Sequence, residues 1–305
     1  MSTGRRSPRE RVRVVGIGGG HGLADTLRAA LLYADDVAAV VAMADNGGSS
    51  GRLTNELGIP PPGDVRNCLV ALARNHSIAD LLQHRFQGGA LTGHTVGNLV
   101  IAALTELRGG FGEAVAATGR LLAAEGRVYP ATTALVALRA RVRGGVLEGQ
   151  VAVGETTAPI EAVSLEPAGV PAYPPAVQAI LEADQVVLGP GSLYTSLLAT
   201  VLVPGISAAL RETTARRIFV CNTRMQPGET GGLDAVAHLR ALLAHCGNAC
   251  VDAAIVQSPV LRNDGVAFDP GAWPWPEIDL VEADVTAGAE GHDPRRLSTA
   301  LIALS

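Results

Sequence analysis

The stretch RVRVVGIGGGHGLADTLRAALLYADDVAAVVAMADNGG, residues 11–48, decides the fold. Arg11 to Ile17 reads as a strand that runs into glycines. Leu23, Leu27 and Leu31 then recur at helical spacing over Leu23 to Leu32. Val37 to Met43 is a second apolar run, short enough for a strand buried on both faces. A strand, a glycine turn, a helix and a strand in succession imply parallel pairing through a right-handed crossover. The expected class is therefore α/β, a Rossmann-like three-layer parallel sheet with helices on both faces.

The rest of the chain repeats this pattern with one interruption. Leu69 and Leu72 mark a short helix after Asp64, and Thr95 to Leu107 a longer one. A helix over 176–183, strand Gln185 to Leu188, strands Arg217 to Cys221 and Val251 to Val256, and helix Leu233 to Ala244 resume the α/β order. Between them, residues 127–166 alternate polar and apolar positions around Gly144-Gly145, which predicts a small antiparallel hairpin insertion. The chain thus reads as a single domain over 11–305 with an inserted lobe at about 127–166. Residues 1–10, polar and Arg-rich, are expected to be a disordered tail.

Composition narrows the function. Hydrophobic residues make up 48% and aromatics 3%, so the core must be built from Ala, Val, Leu and Ile. A net charge of −5 argues against a basic face for nucleic acid. All 24 basic residues are Arg. Without Lys, Schiff-base and P-loop lysine chemistries are excluded. Cys68, Cys221, Cys246 and Cys250 form no Cys-x-x-Cys and are expected as free thiols in a reducing cytosol. No signal-type segment or run of ~18 apolar residues occurs, so a cytoplasmic protein without a membrane span is expected.

Candidate site residues gather where strands end. Gly18, Gly19, Gly20, His21 and Gly22 precede a helix, where backbone amides and the helix dipole favour an anion. The full dinucleotide fingerprint fails, because His21 stands where its third glycine belongs. A second turn, Gly189, Pro190, Gly191 and Ser192, follows strand 185–188, with Ser192 placed to cap a helix carrying Leu193, Leu197 and Val201. Tyr194 and Thr195 continue it. A diphosphate between these two turns is the natural reading. The third wall is residues 44–67. There Asp45, Asn46, Gly47, Gly48, Ser49 and Ser50 offer ligand contacts and Arg52 a bidentate clamp. Asp64 reads as an N-cap, with Arg66 and Asn67 in the first turn after it, and Asn98 opens the 95–107 helix. His94 reads as structural.

Six ordered stretches carry a resemblance: IGGGHGL, ADNGGSSGRLTNELGIPPPGDVRNCLVALA, GHTVGNLVIAAL, LGPGSLYTS, LVPGI and VCNTRMQPGET. Together they resemble the YvcK-type gluconeogenesis factors of the CofD-like superfamily, over nearly the whole chain from Val12 to the terminal HDPRRLSTALIAL. The resemblance implies a Rossmann-like domain that binds UDP-sugars, notably UDP-N-acetylglucosamine, and acts in cell-wall precursor supply and cell shape. It implies a regulator rather than an enzyme. No cofactor is required on that reading, and the implied partners are the UDP-sugar, a regulated enzyme of amino-sugar synthesis and a second copy in a homodimer. The sister branch is the 2-phospho-lactate transferase, which uses a divalent metal and a nucleotide-activated donor. On that alternative Asp45 and Asp64, which lie in the matching motifs, would hold Mg²⁺. The sequence departs from its relatives at His21 for Thr, Asn46 for a second Asp, Asn263 for an aromatic and Gly291 for Arg.

Three readings follow. The leading one is a UDP-sugar-binding regulator, with Arg52, Arg66, Asn67 and Ser192 on the ligand and Asn222, Gln226 and Glu229 closing the pocket over sugar or base. The second is the metal-dependent transferase. The third, an NAD-linked oxidoreductase, lacks the fingerprint and a hydride-site acid.

Overall fold

The computed structural model describes residues 11–286 and 291–304; the expected tail at 1–10 lies outside them. β1 (Arg13–Gly18), α1 (Gly20–Ala30) and β2 (Asp36–Val41) form the expected parallel unit, with Val14 opposite Val37 and Ile17 opposite Val40. The helix begins at Gly20, three residues before the leucine stripe, so the glycines are part of its first turn.

The long passage to β3 (Arg127–Pro130) holds α2 (Gly48–Leu57), α3 (Gly63–Ala71), α4 (His76–Gln83), α5 (Val96–Arg108) and α6 (Phe111–Leu121). After β3 come β4 (Ala137–Val142), β5 (Gly145–Glu148), the short α7 (Gln150–Gly154) and β6 (Ile160–Glu166). α8 (Pro174–Leu181) returns the chain to β7 (Gln185–Leu188). A π-helical turn, Leu193–Leu198, runs on as α9 (Ala199–Val201), followed by α10 (Pro204–Glu212) and β8 (Arg216–Val220). α11 (Ala235–Cys246), β9 (Ala253–Gln257), β10 (Asp279–Ala283) and α12 (Pro294–Ile302) complete the domain.

The main sheet is seven-stranded, in the order β10-β9-β8-β7-β1-β2-β3, and every pairing is parallel. Alternation along the strands divides the core into two layers. Val15, Ile17, Ala38 and Val40 pack with α8 to α11 on one face. Val14, Val37, Ala39 and Val41 pack with α1, α3, α6 and α12 on the other. The α/β three-layer class expected from the sequence is the one observed.

The inserted lobe is smaller than expected. Residues 127–130 are the edge strand of the main sheet, paired in parallel with β2, and the antiparallel sheet, ordered β5-β4-β6, starts only at Ala137. Alternating polarity suits an edge strand as well as a hairpin, which is why the two merge in the sequence. Among the described residues no single helix is long and apolar enough to cross a membrane.

The sheet order changes direction between β1 and β7: β2 and β3 lie on one side, β8 to β10 on the other. Open α/β sheets leave a crevice at the carboxyl ends of strands flanking such a point. Both glycine turns, after β1 and after β7, sit there.

Candidate functional site

The two glycine turns touch. A Cβ on Gly22 would lie 2.4 Å from the Pro190 carbonyl oxygen, and one on Gly191 would lie 3.2 Å from that of Gly19. No ligand passes between Gly22 and Pro190 themselves, so a diphosphate held by both turns would lie beside this contact rather than through it. Open space lies on either side of the contact. One cavity, about 180 Å³, is lined by His21, Gly22, Asp25, Pro190, Gly191, Asn222, Thr223, Arg224, Gln226, Gly291 and His292. The other, about 300 Å³, is lined by Gln150, Val151, Gly154, Glu155, Ser192, Thr195, Gln226 and Glu229. Gln226 belongs to both.

Two carboxylates lie beside the β1 turn and the start of α2. Asp64 is not the expected cap of its own helix: Pro62 occupies that position, and Asp64 accepts the Gly20 N–H at the start of α1. A Cβ on Gly19 would come within 2.3 Å of Asp64 Oδ2 and 3.0 Å of Ser196 Oγ, so the acid is seated against bare backbone. Part of the residue reaches the surface, but its carboxyl is deep. Burial, with Asp45 as a second cause, pushes its pKa up to about 6. Asp45 Oδ1 accepts the Gly47 N–H at 2.8 Å, at the start of α2. Its Oδ2 lies 3.4 Å from where a Gly63 Cβ would be, beside Ser50 Oγ at 2.5 Å. Asn46, exposed, accepts the Val151 N–H at 3.0 Å through Oδ1. Its side chain anchors the lobe, a task an amide performs without charge.

The turn after β7 is closed by an acid as well. Ser192 does not cap the following helix with its hydroxyl. Its carbonyl accepts from Leu197 N at 3.0 Å, the i to i+5 bond of a π-turn, and its Oγ accepts from Gln226 Nε2 at 2.9 Å. The Thr195 N–H goes to Glu229 Oε2 at 3.1 Å. Glu229 is 7% exposed and burial raises its pKa. Asn222 clamps the same turn: Oδ1 accepts the Gly191 N–H and Nδ2 donates to the Gly191 carbonyl, both at 2.8 Å.

Several expected ligand contacts are instead framework. Arg66 is 6% exposed and donates to Thr95 Oγ1 (2.6 Å), Asn98 Oδ1 (2.8 Å) and Asn67 Oδ1 (2.7 Å). Burial lowers its pKa to about 10. Asn98 Nδ2 donates to Ser49 Oγ, which pairs with His94 Nδ1 at 2.9 Å; burial, with the nearby Arg52, lowers the pKa of this imidazole. Arg52 donates to the Thr92 carbonyl at 2.7 Å. Tyr194 lies in the core at 5% exposure. These groups hold α2, α3 and α5 in register and present Asp45 and Asp64.

Thr223 and Arg224, within the 222–230 stretch expected to close the pocket, line the smaller cavity. Other lining residues went unrecognised in the sequence: Asp25 and His292 in the smaller cavity, and Gln150, Gly154 and Glu155 of the lobe in the larger. His292 donates from Nε2 to the Cys221 carbonyl at 3.2 Å, and burial lowers its pKa to about 4, so it is a neutral wall. Gly291 sits at φ +79, its Cβ position 3.1 Å from Asp25 Oδ2. A larger space, about 560 Å³, lies beside edge strand β3, lined by Leu69, Val115, Gly119 and Tyr129 among others. It has no acid and no helix start, so the strand-end crevice is the candidate site. Among the described residues no group of three or more His, Cys, Asp or Glu could hold a metal.

Comparison with known proteins gives a consistent picture. Residues 14–270 match the family described as 2-phospho-L-lactate transferase CofD. A relative in a strain of Nostoc is 45% identical over 238 residues, 77% of this chain and 52% of its own length, so the chain spans about half of that relative. The Bacillus subtilis protein named gluconeogenesis factor is 42% identical over 262 residues, 84% of this chain and 81% of that one. A crystal structure of a Bacillus halodurans protein superposes with a TM-score of 0.93 at 35% identity, covering 97% of this chain and all of that one.

Proposed function

The chain belongs to the CofD family, and from that premise we propose that it is a cytoplasmic UDP-sugar-binding regulator, with UDP-N-acetylglucosamine as its ligand. By this reading it links gluconeogenic carbon metabolism to cell-wall precursor supply and cell shape, as a dimer acting on an enzyme of amino-sugar synthesis. The name of its Bacillus subtilis relative supports the metabolic half. The observation that carries the binding half is the crevice itself. Two glycine turns meet at the sheet's switch point, with two polar cavities joined at Gln226 on either side. The smaller suits phosphate, since it offers the first-turn amides of α1 at His21 and Gly22 together with Arg224, whose guanidinium also pairs with Asp264.

A second reading, a metal-dependent transferase, is favoured by Asp45 and Asp64. They interact electrostatically, which helps raise the Asp64 pKa. Two carboxylates fit Mg²⁺ only if substrate phosphate and water complete its shell. Mg²⁺ would there neutralise phosphate charge, with Asp45 and Asp64 as its protein ligands.

Calorimetric titration with UDP-N-acetylglucosamine, UDP-glucose, UDP and NAD, each with and without Mg²⁺, separates the two. The regulator reading expects metal-independent binding of a UDP-sugar in preference to NAD, retained in Asp64→Asn. Binding that requires Mg²⁺ and disappears in Asp64→Asn would establish the transferase reading in its place. No binding of any UDP-sugar at about 1 mM would end the first reading.

A further inference from the structure

We propose that the cavity between α7 and the π-turn is the seat of an uncharged, hydroxyl-rich group, and that it gives the site its preference for a sugar nucleotide over the bare nucleotide. The inference rests on the sugar-nucleotide reading above and assigns one part of that ligand to one cavity.

Two buried oxygens point to it. Glu229 spends Oε2 on the Thr195 N–H, while its Oε1 is buried without a hydrogen-bond partner. The Ser192 and Thr195 hydroxyls and the Tyr194 N–H also approach this carboxyl and lower its pKa partway, against the larger effect of burial. Gln226 donates from Nε2 to Ser192 Oγ, and its Oε1 is likewise buried without a partner. Each such acceptor costs the free protein about 1–3 kcal/mol. A ligand that brings donors recovers that cost.

The lining decides which donors. Gln150, Glu155, Gln226 and Glu229 supply acceptors, and no arginine borders the space. A phosphate there would face carboxylates with no cation to offset them. Uracil offers a single N–H against two waiting acceptors and brings two carbonyls of its own. Sugar hydroxyls satisfy both and accept in return from the amides of Gln150 and Gln226. At about 300 Å³ the space is at the lower end for small-molecule sites, and its walls are fixed. The Gly154 carbonyl would be 1.8 Å from a Gly228 Cβ, so α7 and the 226–230 loop meet backbone to backbone.

Sites built to pair ligand hydroxyls discriminate strongly against analogues that lack them. The test titrates the wild type, Glu229→Gln and Gly154→Leu with UDP-N-acetylglucosamine, UDP-glucose and UDP. Glu229→Gln keeps an oxygen for Thr195 and presents an amide donor to the cavity. Gly154→Leu fills the cavity from the opposite wall. Its Cβ would meet only Thr195 Cγ2 at 3.8 Å and Gln150 Nε2 at 4.0 Å, so the fold accepts it. The ratio of UDP-sugar to UDP affinity should fall about tenfold or more in both variants. If UDP-sugars bind and both variants keep the wild-type ratio, the seat is wrong while the sugar-nucleotide reading stands. If Glu229→Gln weakens UDP as much as the sugars, the cavity holds ribose or base and the assignment is overturned. If the wild type binds no UDP-sugar, the reading fails and the seat with it.

Discussion

The turn after β1 and the turn after β7 are near twins in sequence, each a cluster of glycines between a buried strand and a helix. They differ in the acid that meets the helix start. The Gly20 amide is met by Asp64 from α3, whose carboxyl is seated against bare glycine backbone and feels the charge of Asp45. The Thr195 amide is met by Glu229, from the loop beyond β8, whose second oxygen is left for something else. A glycine turn before a helix is therefore not an anion hole by default. Here one of the chain's own carboxylates meets an amide at each helix start; on the reading proposed above, phosphate would lie on the His21 and Arg224 side and hydroxyls on the other.

The sharpest way to break this pairing of turns is to force them apart. On Gly22 a Cβ would lie 2.4 Å from the Pro190 oxygen and 2.8 Å from the Gly191 nitrogen, both backbone atoms that cannot swing away. Gly22→Val should cost more than about 3 kcal/mol, since overpacking against main chain leaves no rotamer to relieve it. The urea unfolding midpoint reads this directly. A loss below about 1 kcal/mol would mean that the turns separate easily, and a ligand could then enter between them after all.

Asp64 marks the next difference, and its effect has a definite sign. Its folded pKa, about 6, is above the ordinary 3.8, so the folded state holds the proton more tightly than the unfolded chain. The stability that proton contributes is fully present below pH 3.8 and is lost as pH rises through 6. At neutral pH the ionised acid thus costs up to about 3 kcal/mol relative to its protonated form. Asparagine mimics the protonated form and can still accept from Gly20. Asp64→Asn should be the more stable protein at pH 8, with the gap closing toward pH 4. Urea titrations at the two pH values check it, and a wild type that is equally stable at both would remove Asp64 as the strained member of the site.

Much of the fold was legible because buried strands announce themselves. β1, β2, β7, β8 and β9 are short apolar runs, as strands covered on both faces must be. β10, with Asp279 and Glu282, is a half-exposed edge strand and reads as loop. α2 was hidden for a different reason. Gly48, Ser49, Ser50 and Gly51 are weak helix formers, and glycine is required at 51 because a Cβ there would lie 2.0 Å from the carbonyl oxygen of Asn46, just before the helix. In the site, Asp45 and Asp64 stood out as acids near strand ends and helix starts. That Arg66 spends its guanidinium on Thr95, Asn98 and Asn67 depends on α5 crossing α3, which no local pattern encodes. The contribution of α7 was equally hidden, because a five-residue helix inside a lobe has no periodicity to read.

The smallest expected effect asks whether the two turns behave as one unit. Asn222, just after β8, holds the β7 turn through a two-point amide clamp on Gly191, at 2.8 Å in each direction. Nothing equivalent reaches the β1 turn from β8. Asn222→Ala leaves both Gly191 groups to water at a partly exposed position, so the cost should be about 1 kcal/mol rather than that of a buried orphan. Amide hydrogen exchange then resolves where the loss falls. If the clamp acts on its own turn, Gly191 exchanges faster in the variant and Gly20, held by Asp64, does not. If both amides accelerate together, the contact between Gly22 and Pro190 couples the turns into one cooperative element. A ligand that closes one cavity would then tighten the other through the backbone they share.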